Sequence, residues 1–289
     1  MGVVKDRVVI AALGVLPKRW LSHFAGVLMS TRLPKPLAGA AVRVYGKTFG
    51  VDFDEVRDPL DSFTSVQDFF VRALKEGARP VDDATSSLVA PCDGAWGAAG
   101  IIEQGQALQV KGRPYSVAAL LDDADLAARF DGGPFATLYL SPRDYHRLHA
   151  PLAGEVTWAR HVPGALWPVN SAGIRFVDGL FARNERIVVT LRPGAATGAP
   201  NGALLALVAV GATMVGKVRL AFDDLVTNDG DDAVARRYEP PHAVAKGAEW
   251  GRFEFGSTVV LLATPGWLHL EPAEPGTKVR LGARIGAVG

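Results

Sequence analysis

From about residue 86 onward, short apolar runs alternate with turns rich in glycine, proline and aspartate. Runs of this length between such turn residues are typical of β-strands. Strands that follow one another with few helical segments favour an antiparallel sheet folded as a sandwich or a barrel. We therefore predict a mainly antiparallel, sandwich- or barrel-like domain over residues 86–289, with strands at 136–140, 154–162, 185–191, 203–210, 214–220 and 257–263.

Helical periodicity interrupts this pattern at two places. Residues 62–76 place their apolar side chains on one face, with Ser65 and Asp68 as a capping box, and we assign this helix to the core without chemistry. Residues 117–130 predict a second helix with Ser116 as its N-cap. Residues 223–247 are rich in aspartate, glycine and proline and predict a long loop. The fold class is α+β.

Residues 3–29 carry apolar side chains at helical spacing, which predicts one or two short helices broken near Pro17. A basic helix of this kind can pack on its own domain or lie in a membrane interface. With the helix at 62–76, it defines an N-terminal helical region over residues 1–85. The residues that would meet a membrane are Lys18, Arg19, Trp20, Leu21 and Phe24.

Charge and composition narrow the choice of partners. The formal net charge is +1, but residues 1–50 hold eight basic residues against the single acid Asp6. Attraction to anionic partners therefore belongs to the N-terminal region. The lone cysteine, Cys92, excludes an internal disulfide. The apolar run at 8–16 is too short to span a bilayer and no small-residue cleavage site follows it, so we expect neither a transmembrane helix nor a signal peptide.

The strongest chemical signal is Gly256-Ser257, the one Gly-Ser pair of the chain, at the start of the apolar strand 257–263. A peptide bond after glycine can be strained and approached closely. A serine hydroxyl directly after such a bond can attack the preceding carbonyl if a base removes its proton. A turn that opens a core strand would use the same residues, so the pair needs a base nearby.

Candidate bases lie in the polar segment 139–151, which contains His146 and His149. Imidazoles titrate near neutrality and can act as acid or base. Two histidines three residues apart could also bind a metal, but no third ligand with standard spacing is evident, so we predict no metal site. Asp93, in the turn Pro91-Cys92-Asp93-Gly94, could complete an Asp-His-Ser set, which needs spatial adjacency and no fixed chain order.

Together these segments resemble the phosphatidylserine decarboxylase family along nearly the whole chain. The run Ser-Pro-Arg-Asp-Tyr-His-Arg-Leu-His with the Gly-Ser-Thr site is the most specific part of the match. The segments that carry the resemblance are Leu16-Pro17-Lys18, Phe69-Phe70-Val71-Arg72, Pro91-Cys92-Asp93-Gly94, and residues 139–151, 181–186, 210–216 and 251–258.

The resemblance implies a proenzyme that cuts itself between Gly256 and Ser257. Asp93 would orient His149, and His149 would take the Ser257 proton. The products would be a β chain of residues 1–256 and an α chain of residues 257–289, which stay together as a heterodimer. The residue at 257 would become a pyruvoyl group, the covalent cofactor. It would decarboxylate phosphatidylserine to phosphatidylethanolamine through a Schiff base, with His146 managing protons at the substrate carbon.

The same resemblance implies a peripheral enzyme on the cytoplasmic face of a bacterial membrane. Its expected partners are phosphatidylserine and an anionic membrane surface; a homo-oligomer is compatible with this interpretation, and no nucleic acid is expected. With the family in view, we prefer interface binding over packing for the N-terminal helix.

Two alternatives stay open from the sequence. A pyruvoyl-dependent decarboxylase of a soluble amino acid would share the serine chemistry but would not need residues 1–50 as a membrane surface. A noncatalytic lipoyl- or biotinyl-type β module is suggested by Val215-Gly216-Lys217-Val218, although Lys217 lacks the two flanking methionines of a biotin carrier.

Overall fold

The computed structural model describes residues 26–110, 113–213, 217–227, 232–254, 258–271 and 273–289. The predicted membrane residues Lys18, Arg19, Trp20, Leu21 and Phe24 lie outside these ranges. So do Gly256 and Ser257. In the described part of the chain, no helix is both long and apolar enough to cross a membrane.

The N-terminal region is helical where the structure describes it. Residues 26–30 are helical, and α1 (Lys35–Phe49) begins directly after Pro34 and ends at Gly50, whose φ of 74° is in the left-handed region that glycine tolerates. A short 3-10 turn (Leu60–Ser62) and α2 (Val66–Phe70) follow. These elements enclose a small core of their own, formed by Val42, Tyr45, Val51, Val56, Phe63, Phe69 and Phe70.

The predicted helix at 62–76 is much shorter than expected. Ser65 caps α2 as predicted, because its hydroxyl accepts from the Asp68 amide at 3.0 Å. The helix then ends, because the backbone around Ala73 bonds to the segment 55–57 instead of continuing: Arg57 N–H donates to the Ala73 carbonyl and Lys75 N–H to the Glu55 carbonyl. Tertiary pairing thus overrides the helical periodicity beyond residue 70.

After α2, the described residues form four short α-helices, one 3-10 turn (Ala195–Thr197) and sixteen strands. The helices are α3 (Val117–Leu121), α4 (Ala124–Ala128), α5 (Ser171–Phe176) and α6 (Leu180–Arg183). The strands are β1 (Ser87–Val89), β2 (Gly94–Ile101), β3 (Gln106–Val110), β4 (Arg113–Ser116), β5 (Pro134–Tyr139), β6 (Arg147–His149), β7 (Gly154–Val162), β8 (Arg186–Pro193), β9 (Leu205–Val210), β10 (Val218–Leu220), β11 (Val234–Val244), β12 (Glu249–Phe253), β13 (Thr258–Ala263), β14 (Leu268–Leu270), β15 (Lys278–Val279) and β16 (Arg284–Val288).

Eight strands form one antiparallel sheet in the order β11-β7-β8-β9-β13-β5-β2-β15. The strand β13 lies in its interior between β9 and β5, and all its residues are buried. Alternate side chains of a strand point to opposite faces, so Val259 and Leu261 enter one core while Val260 and Leu262 enter the other. This explains the unbroken apolar run that predicted the strand.

Each face of the large sheet is covered. On one face lie two three-stranded sheets, β10-β12-β6 and β1-β16-β14, which contribute Leu148, Trp250 and Ile285 to a shared core. Helices α3 and α6 cover the other face with Leu120, Leu121 and Phe181. The α+β class and the antiparallel pairing are therefore confirmed. The described strands do not close into a barrel, since β11 and β15 are the two edges of the large sheet.

Two further predictions need correction. The helix at 117–130 divides into α3 and α4, because Asp122 adopts a left-handed conformation (φ 53°) and Asp123 caps a new helix; Ser116 caps α3 as predicted. The loop predicted at 223–247 contains the eleven-residue strand β11, paired with β7. An edge strand tolerates polar side chains and prolines, and its ladder is interrupted between Arg237 and His242, where Pro240 and Pro241 lie.

Candidate active site

The chain crosses from a small sheet to the large one between Glu254 and Thr258. Before the crossing, the Phe253 N–H donates to the His146 carbonyl at 2.9 Å. After it, Thr258 pairs with Tyr139 of β5 and Val210 of β9. Gly256 and Ser257 occupy this crossing in the sequence. The residues on both sides of the predicted reactive pair therefore bond to the segment 139–151, which carries both candidate histidines.

The histidine segment is held by a tight turn. The Asp144 carboxylate accepts from both the backbone N–H and the hydroxyl of Ser141, each at 2.7 Å. The Asp144 N–H in turn donates to the Ser141 carbonyl at 2.9 Å, and this closed turn reverses the chain after β5, so that β6 can pair with β12. The turn and the strand together place His146 and His149 beside β12.

The His146 side chain is completely buried, with its ring 3.9 Å from that of Phe70. Its Nδ1 lies 2.8 Å from the Asp144 carbonyl oxygen. A carbonyl can only accept, so Nδ1 carries the proton and Nε2 presents a lone pair. Within the described residues Nε2 has no partner. Burial, reinforced by the charge of Arg72, lowers the pKa of His146 to about 3, so the imidazole is neutral at physiological pH.

His149 is also neutral but more accessible. Its Nδ1 donates to the Gly247 carbonyl at 2.7 Å, and its Nε2 lies 3.4 Å from the Tyr145 hydroxyl. Burial lowers the pKa of His149, while the hydrogen bond to Gly247 acts in the opposite direction. A neutral imidazole with an accessible Nε2 has the protonation state that a general base needs.

Asp93 is engaged by an arginine that sequence reasoning missed. Nε and Nη2 of Arg79 donate to the Asp93 carboxylate at 2.6–3.0 Å, and the Leu281 N–H donates to the same carboxylate at 2.8 Å. Arg79 also bonds to Glu55 at 2.8 Å. The described hydrogen bonds of Asp93 and His149 do not join the two side chains. Burial is the largest influence on His149 and lowers its pKa, and the Asp93 charge is a smaller influence that acts in the opposite direction.

The pairing of β6 with β12 shows which histidine lies opposite a residue closer to the crossing. His146 is opposite Phe253, three residues before Gly256, whereas His149 pairs with Glu249, seven residues before it. The strand His149 N–H donates to the Pro91 carbonyl at 2.8 Å, which ties His149 to the turn that carries Asp93. The roles of Asp93, His146, His149 and Ser257 stay predictions.

The N-terminal region contributes directly to this site. Phe70 packs on His146, although the helix that carries it was assigned no chemistry. Arg72 donates to the Arg143 and Asp144 carbonyls, and Tyr45 donates to the Pro142 carbonyl at 3.0 Å. No sequence spacing links these residues to the histidines, so local patterns could not find them. Among the described residues, no group of three or more histidine, cysteine or acidic side chains is placed to hold a metal.

A buried histidine and a partly buried one, both with a lowered pKa, together with a carboxylate paired to an arginine, are groups suited to acid–base chemistry. The comparisons with known proteins agree. A family model described as phosphatidylserine decarboxylase matches residues 66–287. A phosphatidylserine decarboxylase proenzyme of Anaeromyxobacter sp. (strain K) is 47% identical over 98% of this chain and 99% of its own.

Two further relatives carry the same name. The protein of Myxococcus xanthus (strain DK1622) is 39% identical over 99% of this chain and 100% of its own. That of Acidovorax ebreus (strain TPSY) is 44% identical, with 96% and 97% covered. The chain thus belongs to the phosphatidylserine decarboxylase family and is a carboxy-lyase, not a noncatalytic carrier module.

Proposed function

We propose that this protein decarboxylates phosphatidylserine to phosphatidylethanolamine after cutting itself between Gly256 and Ser257. The relatives that match along nearly the whole chain carry the proposal. The site supports it, because the segment before Gly256-Ser257 bonds to the His146 backbone, and the buried imidazole of His146 has no partner for Nε2 among the described residues. The fragments would be residues 1–256 and 257–289, held together as a heterodimer by the ladders of β13 with β5 and β9.

In self-cleavage, His149 takes the Ser257 hydroxyl proton with its Nε2, and Ser257 Oγ attacks the Gly256 carbonyl carbon. The amide nitrogen of residue 257 leaves that carbon and receives the proton, which converts the peptide bond into an ester. β-Elimination at residue 257 would then remove its Cα proton and break its Cβ–O bond, releasing residues 1–256 with a terminal carboxylate and leaving dehydroalanine. Hydrolysis of the dehydroalanine would give the pyruvoyl group and ammonia. Asp93 supports this step electrostatically, since its negative charge favours the imidazolium that forms. Arg79 and the Leu281 N–H keep that carboxylate in place.

Two buried polar atoms of described residues support the proposal of a pyruvoyl group at residue 257. The hydroxyl of the next residue, Thr258, is buried, and neither it nor His146 Nε2 has a hydrogen-bond partner within the described residues. Buried polar atoms left unpaired are expected where a polar group binds or reacts. The pyruvoyl ketone supplies an electron sink for the loss of carbon dioxide. His146, held by Asp144, presents an unprotonated Nε2, which would first accept a proton from the bound substrate and then pass it to the substrate carbon.

Membrane association has support from α1. Leu37 and Val44, seven residues apart and so on one side of the helix, are 59% and 66% exposed. Val27 and Leu28 are also exposed, and Lys35 and Lys47 flank the same helix. Apolar side chains next to lysines suit an anionic lipid surface. We propose that this surface, together with residues 18–24, holds the enzyme peripherally on the cytoplasmic face of the membrane.

The second candidate, decarboxylation of a soluble amino acid, does not account for this exposed apolar surface. A direct test expresses the full chain and analyses it by denaturing gel and mass spectrometry, then supplies phosphatidylserine in mixed micelles or free serine. The proposal expects two fragments that end and begin at residues 256 and 257, with carbon dioxide released from the lipid. A single intact chain would remove the self-processing step, and turnover of serine alone would favour the second candidate.

A further inference from the structure

The N-terminal region contacts residues 142–147 of the histidine segment. Tyr45 donates to the Pro142 carbonyl, and Val71 offers its carbonyl to Arg147 Nε at 3.0 Å. Between them, Arg72 Nη2 donates to the Arg143 carbonyl at 2.8 Å and to the Asp144 carbonyl at 3.2 Å. Arg72 is 4% exposed, so this guanidinium is part of the interior of the protein.

The Asp144 carbonyl oxygen receives two donors. One is Arg72 Nη2, and the other is His146 Nδ1 at 2.8 Å. A carbonyl oxygen has two lone pairs, so this pair of donors uses its whole accepting capacity. Arg72 therefore donates a hydrogen bond to the same oxygen that decides which nitrogen of His146 carries the proton.

We propose that Arg72 is a positioning residue for His146. By holding the Asp144 carbonyl, Arg72 fixes the imidazole as the Nδ1–H tautomer and directs the unprotonated Nε2 into the site. Phe70 completes the arrangement, because its ring lies against the imidazole and limits its rotation. The inference rests on the proposed catalytic role of His146, and it assigns to the N-terminal region a part in the chemistry.

Stability alone does not explain this arginine. Its Nε and Nη1 are buried and have no partner in the described part of the chain. Unpaired N–H groups of a buried cation cost free energy, and an apolar side chain of similar volume is often at least as stabilising in such a place. The guanidinium carbon lies 5.2 Å from the Phe69 ring centroid, a cation–π contact that an apolar side chain would replace by van der Waals packing alone.

The other charged groups around His146 are directed elsewhere. The Asp144 carboxylate bonds to Ser141, and Phe70 presents an apolar ring. On β6, Arg147 bonds to Val71 and Glu249, and His149 bonds to Gly247. Arg72 is the charged group whose field acts on His146 most directly. Its loss should free the Asp144 carbonyl and raise the pKa of His146 together.

The test measures the His146 tautomer directly, in the processed full-length enzyme labelled with 15N-histidine and assigned with His146→Gln. Arg72→Met removes the charge and the donors but keeps an unbranched stem, and Arg72→Lys keeps a charge and one donor. Arg57→Met is the matched control, because Arg57 is an exposed arginine of the same region that pairs with Asp58. NMR reports which ring nitrogen is protonated at each pH, and kinetics separates kcat from KM.

Wild type and Arg57→Met should show one tautomer with Nε2 unprotonated. Arg72→Met should populate both tautomers, titrate at higher pH and lose about tenfold or more in kcat with little change in KM, in line with the cost of a misplaced group. Arg72→Lys should recover most of both signals. If Arg72→Met does not fold, Arg72→Lys decides: a folded lysine variant with the wild-type tautomer supports the inference.

A folded Arg72→Met protein with the wild-type tautomer of His146 would overturn the inference. A folded Arg72→Lys protein that restores neither the wild-type tautomer nor the kcat lost in Arg72→Met would also overturn it. A separate measurement tests whether His146 has the catalytic role on which the inference rests. If His146→Gln turns over lipid at the wild-type rate, His146 is not catalytic, while the NMR experiment still reports whether Arg72 sets its tautomer.

Discussion

Arg79 and Asp93 form a two-point ion pair that joins the N-terminal region to the catalytic sheet. Nε and Nη2 of Arg79 reach the carboxylate at 2.6–3.0 Å, and both side chains are at most 10% exposed. A buried carboxylate that loses its partner keeps the full cost of desolvation. The pair therefore matters both for stability and for the charge near His149.

Replacing Arg79 by methionine should destabilise the protein by about 3–5 kcal/mol, the usual effect of breaking a buried ion pair. The measurement is urea unfolding in a Ser257→Ala background, which keeps one covalent chain. Arg280→Met is the control, because Arg280 also pairs with Glu55 but its side chain is 68% exposed; it should cost less than about 1 kcal/mol. Equal effects of the two variants would contradict the assignment of Arg79 as the essential partner of Asp93.

Self-cleavage should depend on one hydroxyl. Ser257→Ala removes the nucleophile, so the chain should stay intact and inactive, and its mass should equal that of the full sequence. Ser62→Ala is a control, since this exposed serine bonds to the Pro59 carbonyl, far from the crossing in sequence; it should cleave as wild type. Fragments ending at residue 256 in the Ser257→Ala protein would show that another group attacks the Gly256 carbonyl.

The sequence predicts the parts of this fold in which local pattern and tertiary environment agree. In β13 the consecutive residues 259–263 are all apolar, because both faces of the strand are buried. The run from Val259 to Leu262 therefore predicts the strand without ambiguity. The helix at 62–76 and the loop at 223–247 fail for the opposite reason. There, pairing with residues 55–57 and with β7 decides the structure, and such partners are distant in the chain.

The same limit applies to the site. Asp93, His146 and His149 stand out as polar residues in short motifs, but Arg72 contacts Asp144 across 72 residues and Gln67 contacts Glu254 across 187. No periodicity encodes such contacts. The resemblance to a family identified the chemistry, whereas the supporting side chains from residues 1–85 needed the fold.

The two histidines should separate processing from turnover. His149→Gln removes the proposed base for Ser257 and should leave an uncleaved chain. His146→Gln should still cleave but lose lipid decarboxylation by about 10²–10⁴-fold, the range for an acid–base group. Gel analysis and carbon dioxide release measure the two steps. The β6–β12 pairing places His146 nearer the crossing than His149. If His146→Gln stayed uncleaved while His149→Gln cleaved normally, His146 would be the base in self-cleavage and the proposed roles of the two histidines would be reversed.

Cleavage should also report the protonation of His149. Because burial holds the pKa of His149 below its ordinary value, the base stays neutral as the pH falls through 6.5. The cleavage rate of freshly unfolded and refolded chain should therefore stay flat down to a pH below 6.5 and decline only under more acidic conditions. A rate that falls already between pH 8 and 7 would indicate a base with a raised pKa.

His146 should make the folded state sensitive to acid. Its native pKa is about 3, whereas an unfolded histidine titrates near 6.5, so between these values the unfolded state binds one more proton. Stability is independent of this group above pH 6.5 and falls as the pH drops, by at most about 1.4 kcal/mol per pH unit. Unfolding of Ser257→Ala and of its His146→Gln derivative at pH 7, 6 and 5 should give a steeper slope for the former.

Lipid engagement should be separable from chemistry. Each Lys or Arg near an anionic surface contributes about 1 kcal/mol, and burial of a large apolar side chain about 1.5–3 kcal/mol. Changing Lys18, Arg19 and Trp20 to Glu, or Leu37 and Val44 to Glu, should therefore weaken sedimentation with phosphatidylserine vesicles by about tenfold or more. Ile101 and Leu108 are exposed apolar residues of the β-rich part, and their change to Glu serves as the control. Self-cleavage and turnover of a short-chain soluble substrate should survive in all three variants, because Asp93, His149 and Ser257 are unchanged. Vesicle binding equal to the control would mean that these residues contact protein and not lipid.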